Sequence, residues 1–126
     1  MNKTVISTSN APAAIGPYSQ GNGADSIVIT SGQLPIDPAT GAIVEGGIQA
    51  QTEQSLKNLE AILAEAGLTV DNVIKTTVYL ADIQDFAAMN EIYAKHFTAS
   101  FPARSAFQVA ALPKGALVEI EALCAR

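Results

Sequence analysis

Tryptophan is absent from this chain, and cysteine and histidine occur once each, as Cys124 and His96. A lone cysteine excludes an internal disulfide and fits a reducing compartment. A lone histidine, with no Cys, His or paired carboxylate at ligand spacing around it in the sequence, argues against a zinc site. Basic residues are scarce as well: 7 Lys and Arg against 12 Asp and Glu give a formal net charge of −5 and a pI near 4.6. So few scattered cations argue against a nucleic-acid binder, which normally carries a basic face, although they leave room for a local basic patch. No apolar run approaches the length of a membrane span, and "MNKTVISTSN" has no apolar h-region. The glycines of "GPYSQGNG" lack the spacing and strand–helix context of a dinucleotide-binding loop. These absences predict a cytoplasmic protein that works without metal or organic cofactor.

What is present is an ordinary globular composition, 126 residues with 48% hydrophobic and 15% charged. That length fits one domain, residues 1–126, able to bury a real core. "KTVIS" (3–7) reads as an opening strand and "NAPAAIGPYSQG" as a loop leading into the next. "SIVITSG" (26–32) is β-branched and apolar, a buried strand, and "DPATG" (37–41) has turn chemistry. Within "GIQAQTEQSLKNLEAILAEAG", Ile48, Leu56, Leu59, Ile62, Leu63 and Ala66 fall on one helical face, and Gly67 is a C-terminal stop. "NVIKTTVYL" alternates, with Ile74, Thr76, Val78 and Leu80 on one side and Lys75, Thr77 and Tyr79 on the other. Asp82 is placed to cap a second helix carrying Phe86, Met89, Tyr93 and Phe97 at helical spacing. Pro102 ends anything helical before Arg104.

The last segment reads as a hairpin: strands 104–112 and 117–125 around the loop "PKGA". Val118, Ile120, Ala122 and Cys124 then share one face and Glu119 and Glu121 the other. Pairing Leu112 with Leu117 places Arg104, Gln108, Glu119 and Glu121 together on the polar face, and sends Ser105, Phe107 and Val109 towards the helices. In that register Arg104 and Glu119 are roughly 20 Å apart, at about 3.3 Å per residue, so they meet only across a subunit boundary. Arg104 itself raises a question, because a guanidinium between Phe101 and Phe107 needs an anionic partner if it is shielded from water. That partner is either a protein carboxylate or a ligand carboxylate. The element order predicts an α+β domain with two helices on one face of a sheet, the other face covered by another subunit.

"FPARSAFQVAALPKGALVEIEA" resembles the C-terminal signature of the reactive-intermediate deaminase family (RidA, also called YjgF), with Val118, Glu119 and Ile120 as its aliphatic-Glu-aliphatic triplet. "APAAIGPYSQG", "ITSGQLPIDPATG", "QSLKNLEAILAEAG" and "VIKTTVYLADIQDFAAMNEIYAKHF" resemble further family segments in order, so the likeness spans nearly the whole chain. It implies a chorismate mutase-like mixed sheet with two helices, assembled as a homotrimer around a central barrel with clefts between subunits. It implies hydrolysis of enamine and imine acids, such as 2-aminoacrylate and 2-iminobutanoate, to 2-oxo acids and ammonia. Residue by residue, it implies Arg104 as the carboxylate clamp and Glu119 as the residue holding the attacking water. Tyr18, Ser31, Gly32 and Asn90 would line the cleft, and the backbone N–H of Ala106 would help bind the ligand. Family members often carry Cys where this chain has Ala106, so any role for that thiol is lacking.

The residues are chemically suited to those roles. A guanidinium matches a carboxylate bidentately and fixes its plane as well as its charge. Glu119 is able to accept a hydrogen bond from water and orient it or act as general base. A protonated imine is already electrophilic, so neither metal nor covalent nucleophile is required. Tyr18 offers a ring wall, and Gly32 admits close approach of backbone to ligand. Each has a structural alternative: Arg104 an ion-pair partner, Glu119 a solvated strand residue, Tyr18 a packed loop ring, Ser31 and Gly32 a strand end, Asn90 a contact beside the apolar stripe of the second helix, and Cys124 a small core residue. A second functional class, a non-catalytic 2-oxo acid binder or sensor using the same pocket, differs from the enzyme in having no use for Glu119.

Overall fold

The computed structural model describes residues 2–126. Its strands are β1 (Lys3–Ile6), β2 (Gly21–Ala24), β3 (Ile27–Thr30), β4 (Val73–Leu80), β5 (Ala103–Gln108) and β6 (Val118–Ala125), with helices α1 (Gly47–Glu65) and α2 (Phe86–His96). They form one six-stranded mixed sheet in the order β1-β2-β3-β6-β4-β5. Leu56, Leu59, Ile62 and Leu63 of α1 pack with Met89 and Tyr93 of α2 against Val28, Val78, Val118 and Ile120 of the sheet. The periodic stripes of both helices therefore face the core as their spacing predicts. Gly67, at φ 76, takes the left-handed conformation just beyond the end of α1, and Asp82 accepts a hydrogen bond from Gln84 N–H in the 3₁₀ turn that leads into α2. The 37–41 turn forms around Asp37, whose side chain accepts from Ala39 N–H and whose carbonyl accepts from Gly41 N–H. Among the described residues no helix is long and apolar enough to cross a membrane.

The expected C-terminal hairpin does not form. β5 pairs in parallel with β4, and β6 pairs antiparallel with both β4 and β3, so β4 lies between the last two strands. Gln108 and Val118 both align with Leu80, and residues 109–117 step over the end of β4 to join them. A connection of that length serves a hairpin equally well. What decides is burial: β6 alternates buried and partly buried residues along its whole length, and a strand whose inner face is that apolar gains most in the sheet interior. β5 carries Arg104 and Gln108 on its inner face and occupies an edge, where polar side chains reach water.

The faces change accordingly. Thr76, Arg104 and Ala122 form one row across the sheet, Val78, Ala106 and Ile120 the next, and Leu80, Gln108 and Val118 a third, all towards the helices. Ser105 and Phe107 share the opposite face with Glu121 and Glu119, contrary to the hairpin reading. Two smaller corrections have local causes. Gly21, read as the end of the loop 10–21, already opens strand β2, because glycines give a strand no side-chain pattern. Ile74 is exposed and Val73 buried, because a bulge between Val73 and Lys75 reverses the alternation at the start of β4.

The two helices are also tied by polar contacts. Gln49 on α1 donates to Ala88 O and to Glu91 on α2. At the other end of α2, His96 lies between Glu60 and Glu53 of α1, at 2.8 Å from each. These carboxylates come from a helix distant in sequence, which local spacing around His96 does not reveal. They approach opposite ring nitrogens, so they share no point with the ring at which an ion would sit.

Asn58, on α1 and 1% exposed, donates to the carbonyls of Leu34 and Ile36 and so fastens the segment after β3. A buried carbonyl left without its donor costs about 1–3 kcal/mol. Asn58→Ala is expected to lower the urea-unfolding free energy by at least that amount, with an unchanged midpoint contradicting the assignment.

Candidate active site

Sequence-predicted site residues gather in two places. The first is the junction between the end of β3 and the start of β6. Ser31 N–H donates to Gln20 O, and the Ser31 hydroxyl donates to Ser19 O at 2.6 Å. Gln20, 4% exposed, accepts from Thr8 N–H and donates to the carbonyls of Thr8, Ala11 and Pro12. Together they fasten the 8–20 segment, and Tyr18 stands on it with its ring half exposed. A cavity of about 380 Å³ opens here, walled by Tyr18, Gly32, Leu34, Ile36 and Pro113 among others.

Glu119 belongs to this place. Its carboxylate lies against Gly32 so closely that a Cβ at position 32 would overlap Oε2 and come within 2.8 Å of Cδ. Glycine here serves close approach. Burial first, and then the charge of Glu121, hold the Glu119 carboxyl above the usual carboxylate range. Glu121 in turn accepts from the Tyr79 hydroxyl at 3.1 Å, and the Tyr79 ring meets Phe107 edge-on. The outer sheet face thus holds one carboxylate bound by a phenol and, beside it, a second that burial and its neighbour's charge raise above the usual carboxylate range.

The second place is the inner face of β5. Arg104 donates to Asn90 Oδ1 at 2.7 Å, and its guanidinium carbon lies 4.7 Å from the centroid of Tyr93 and 5.4 Å from that of Phe86. Tyr93 is itself fixed by a 2.7 Å bond between its hydroxyl and that of Thr76. Among the described residues the ion pairs involve only His96, so Arg104 has no carboxylate partner. A cavity of about 400 Å³ beside it is lined by Asn90, Tyr93, Phe97, Phe101 and Pro102. Arg104 is oriented by rings and an amide oxygen, which neutralise none of its charge and leave donors of the fork free. Tyr93 and Phe86 entered the sequence reading only as core residues. The signal was there: Asn90 and Tyr93 are three apart on one helix and so lie on one face.

Ala106 is next along β5. Val109 N–H donates to Leu80 O, so the odd-numbered residues of β5 direct their backbone groups to β4. The N–H of Ala106 therefore points to the open edge of the sheet. Arg104 and Glu119 extend from opposite faces, three rows apart along β4, or roughly 10 Å. They do not meet within one protomer, although the reason is face and strand order rather than the hairpin register.

Comparison with known proteins supports a single family. The family model described as Endoribonuclease L-PSP matches residues 8–126. A 2-iminobutanoate/2-iminopropanoate deaminase from Salmonella typhimurium is 54% identical over 129 residues, covering 100% of this chain and 99% of that one. A conserved Rid-family protein of unknown function from Yersinia pestis has the same fold, with a TM-score of 0.96 at 51% identity over 99% of this chain and 100% of that chain. E. coli TdcF, crystallised with bound serine, gives 0.92 at 47% identity over 98% of each chain.

Because the atom displaced by a Cβ at position 32 is the end of a flexible side chain, Gly32→Ala is expected to fold with a near-normal Tm. The Glu119 carboxyl should swing outwards, and its titration midpoint, read by carbon-detected NMR, should fall towards the ordinary carboxylate value. An unchanged midpoint would mean that Gly32 does not set the position of Glu119.

Proposed function

Since the chain belongs to the reactive-intermediate deaminase family (RidA, or YjgF), we propose that it hydrolyses short-lived enamine and imine acids to 2-oxo acids and ammonia. The observation that carries this reading is Arg104, a guanidinium aimed by Asn90 and Tyr93 yet paired with no carboxylate of the described chain. It is a receptor for a planar carboxylate, here that of 2-iminobutanoate or of the imine formed when 2-aminoacrylate tautomerises. The outward N–H of Ala106, one residue beyond Ser105 on the same strand, supplies a further donor.

Hydrolysis adds water across the C=N bond. Glu119 accepts a proton from the water as its oxygen bonds to C2, and the electron pair of the C=N bond moves to nitrogen. The carboxyl then returns that proton to nitrogen, the C2–N bond breaks to release ammonia, and the regenerated Glu119 carboxylate takes the C2 hydroxyl proton as the carbonyl forms, passing it to ammonia or solvent. A carboxyl held above its usual range is better matched to both halves of this exchange than an ordinary one. Tyr18 walls the cavity beside Gly32, and Ser31 and Gln20 hold the segment that carries it. The reaction uses no metal or organic cofactor, because the protonated imine is electrophilic without one.

Arg104 and Glu119 lie on opposite sheet faces, so the complete site requires a second copy: the clamp of one subunit opposite the carboxylate of another. A homotrimer closing the outer sheet face around a barrel supplies that arrangement. It also covers Ile27, Ile29 and Phe107, which a single chain leaves exposed on that face. The working compartment is the cytoplasm, in keeping with the lone buried thiol Cys124, whose pKa burial pushes up to about 11. A net charge of −5 weighs against nucleic acid as substrate despite the family's ribonuclease description.

Two variants measured side by side separate clamp from base. Arg104→Lys keeps the charge but loses the fork, and should bind 2-oxobutanoate weakly while retaining its assembly. Glu119→Gln should still bind 2-oxobutanoate but lose about 10²-fold or more in imine hydrolysis. Wild-type turnover in Glu119→Gln would remove Glu119 from the chemistry, 2-oxobutanoate binding without imine hydrolysis by the wild type would make the protein a 2-oxo acid binder, and wild-type binding in Arg104→Lys would return Arg104 to a structural role.

A further inference from the structure

His96 is the only histidine in the chain, and its side chain is 11% exposed. It ends α2, the helix that carries Asn90 and Tyr93 under the Arg104 guanidinium. Tyr93 lies one turn before it, and Phe97, in the wall of the Arg104 cavity, immediately after it. Both ring nitrogens are engaged, Nδ1 with Glu60 Oε1 and Nε2 with Glu53 Oε1, each at 2.8 Å. Only the imidazolium donates from both nitrogens; a neutral ring has one N–H and must present a lone pair to the other carboxylate. The doubly bonded geometry is that of the charged ring.

We propose that protonated His96 is a positioning residue for Arg104: by clamping the C-terminal turn of α2 between Glu53 and Glu60, it holds Tyr93 where its ring aims the guanidinium at a substrate carboxylate. The inference rests on the carboxylate-binding role given to Arg104 above. Loss of the proton turns one of the two contacts repulsive, and the end of α2 loses half its tie to α1. The tie nearer the start of α2, from Gln49 to Ala88 and Glu91, stays intact. The change is therefore confined to the end that carries Tyr93 and Phe97.

The charges around the ring agree with this picture. Burial pushes the imidazolium towards losing its proton, but the hydrogen bonds and charges of Glu60 and Glu53 outweigh that and hold its pKa above the ordinary 6.5. From α1, Lys57 lies between the two glutamates in sequence but is exposed, and on α2 both Lys95 and Glu91 are exposed. Neither lysine opposes the pair at close range, since no ion pair joins them to these groups. A folded-state pKa raised above the unfolded one contributes stability fully present below about pH 6.5 and lost as pH rises through the folded value. Affinity for a carboxylate ligand follows the same direction.

By linkage, a proton that favours ligand binding must itself be held more tightly when ligand is bound. The test is an NMR titration of the single imidazole C2–H resonance in the wild-type protein, with and without saturating 2-oxobutanoate. The expected result is a midpoint above 6.5 without ligand and a further rise of about 0.7 pH unit with it, equivalent to about fivefold weaker binding once His96 is neutral. Calorimetry on His96→Gln should give an affinity that no longer varies between about pH 6 and 9 and matches the wild type at the upper end. Binding of 2-oxobutanoate with no movement of the His96 midpoint would overturn the inference and leave the function intact. Failure of the wild type to bind 2-oxobutanoate at any pH would overturn both.

Discussion

The position of β6 between β3 and β4 is the constraint from which the rest of this molecule follows. Its inner residues Val118, Ile120, Ala122 and Cys124 close the core beneath the helices, and the same alternation sends Glu119 and Glu121 outward. Once β6 takes the interior, β5 is left to the edge as the parallel partner of β4, and register turns Arg104 inward to α2. A guanidinium and a carboxylate that chemistry would bring together are thereby held on two sides of one sheet. The protomer spends neither on the other, and both remain available to something that bridges them.

The two charges are kept available by different means. Arg104 is aimed by a neutral amide and two rings, each cation–π contact adding about 0.5–1 kcal/mol at an exposed position without discharging the cation. Glu119 is crowded by Gly32 on one side and by the charge of Glu121 on the other, and Glu121 is itself secured by Tyr79. In the proposed reaction Arg104 receives the substrate carboxylate and Glu119 accepts and returns a proton. Both depend on packing outside the site: Arg104 on α2 and its ties to α1, Glu119 on the segment that Gln20, Ser31 and Asn58 fasten.

Much of this was legible in the residues. Long periodic stripes announce α1 and α2, and the alternation of β6 announces which way Glu119 points, because burial of one face fixes the other. Strand order was not legible. A nine-residue passage from Gln108 to Val118 is as compatible with a hairpin as with a step over the end of β4, and the difference moves Arg104, Ser105, Phe107 and Gln108 to the other face. The bulge at Val73 is invisible for the same reason: it is a property of the pair, not of the strand. As for the site, Arg104 and Glu119 stand out individually only as an odd cation and a common strand residue, and it was the family resemblance that joined them. The Tyr93 platform and the Glu53–His96–Glu60 clamp arise from helices packed side by side, and no local spacing foretells them.

The central claim is that the site is made of one subunit's Arg104 and another's Glu119. Complementation tests it directly: Arg104→Ala and Glu119→Gln, each inactive for imine hydrolysis, are unfolded together and refolded as mixed oligomers. In a cyclic trimer with shared sites, every mixed assembly contains one site with both native residues, so random mixing should restore about one quarter of the wild-type rate. If clamp and carboxylate instead came from the same chain, no mixture would hold an intact site. A mixture as inactive as its components would contradict the account.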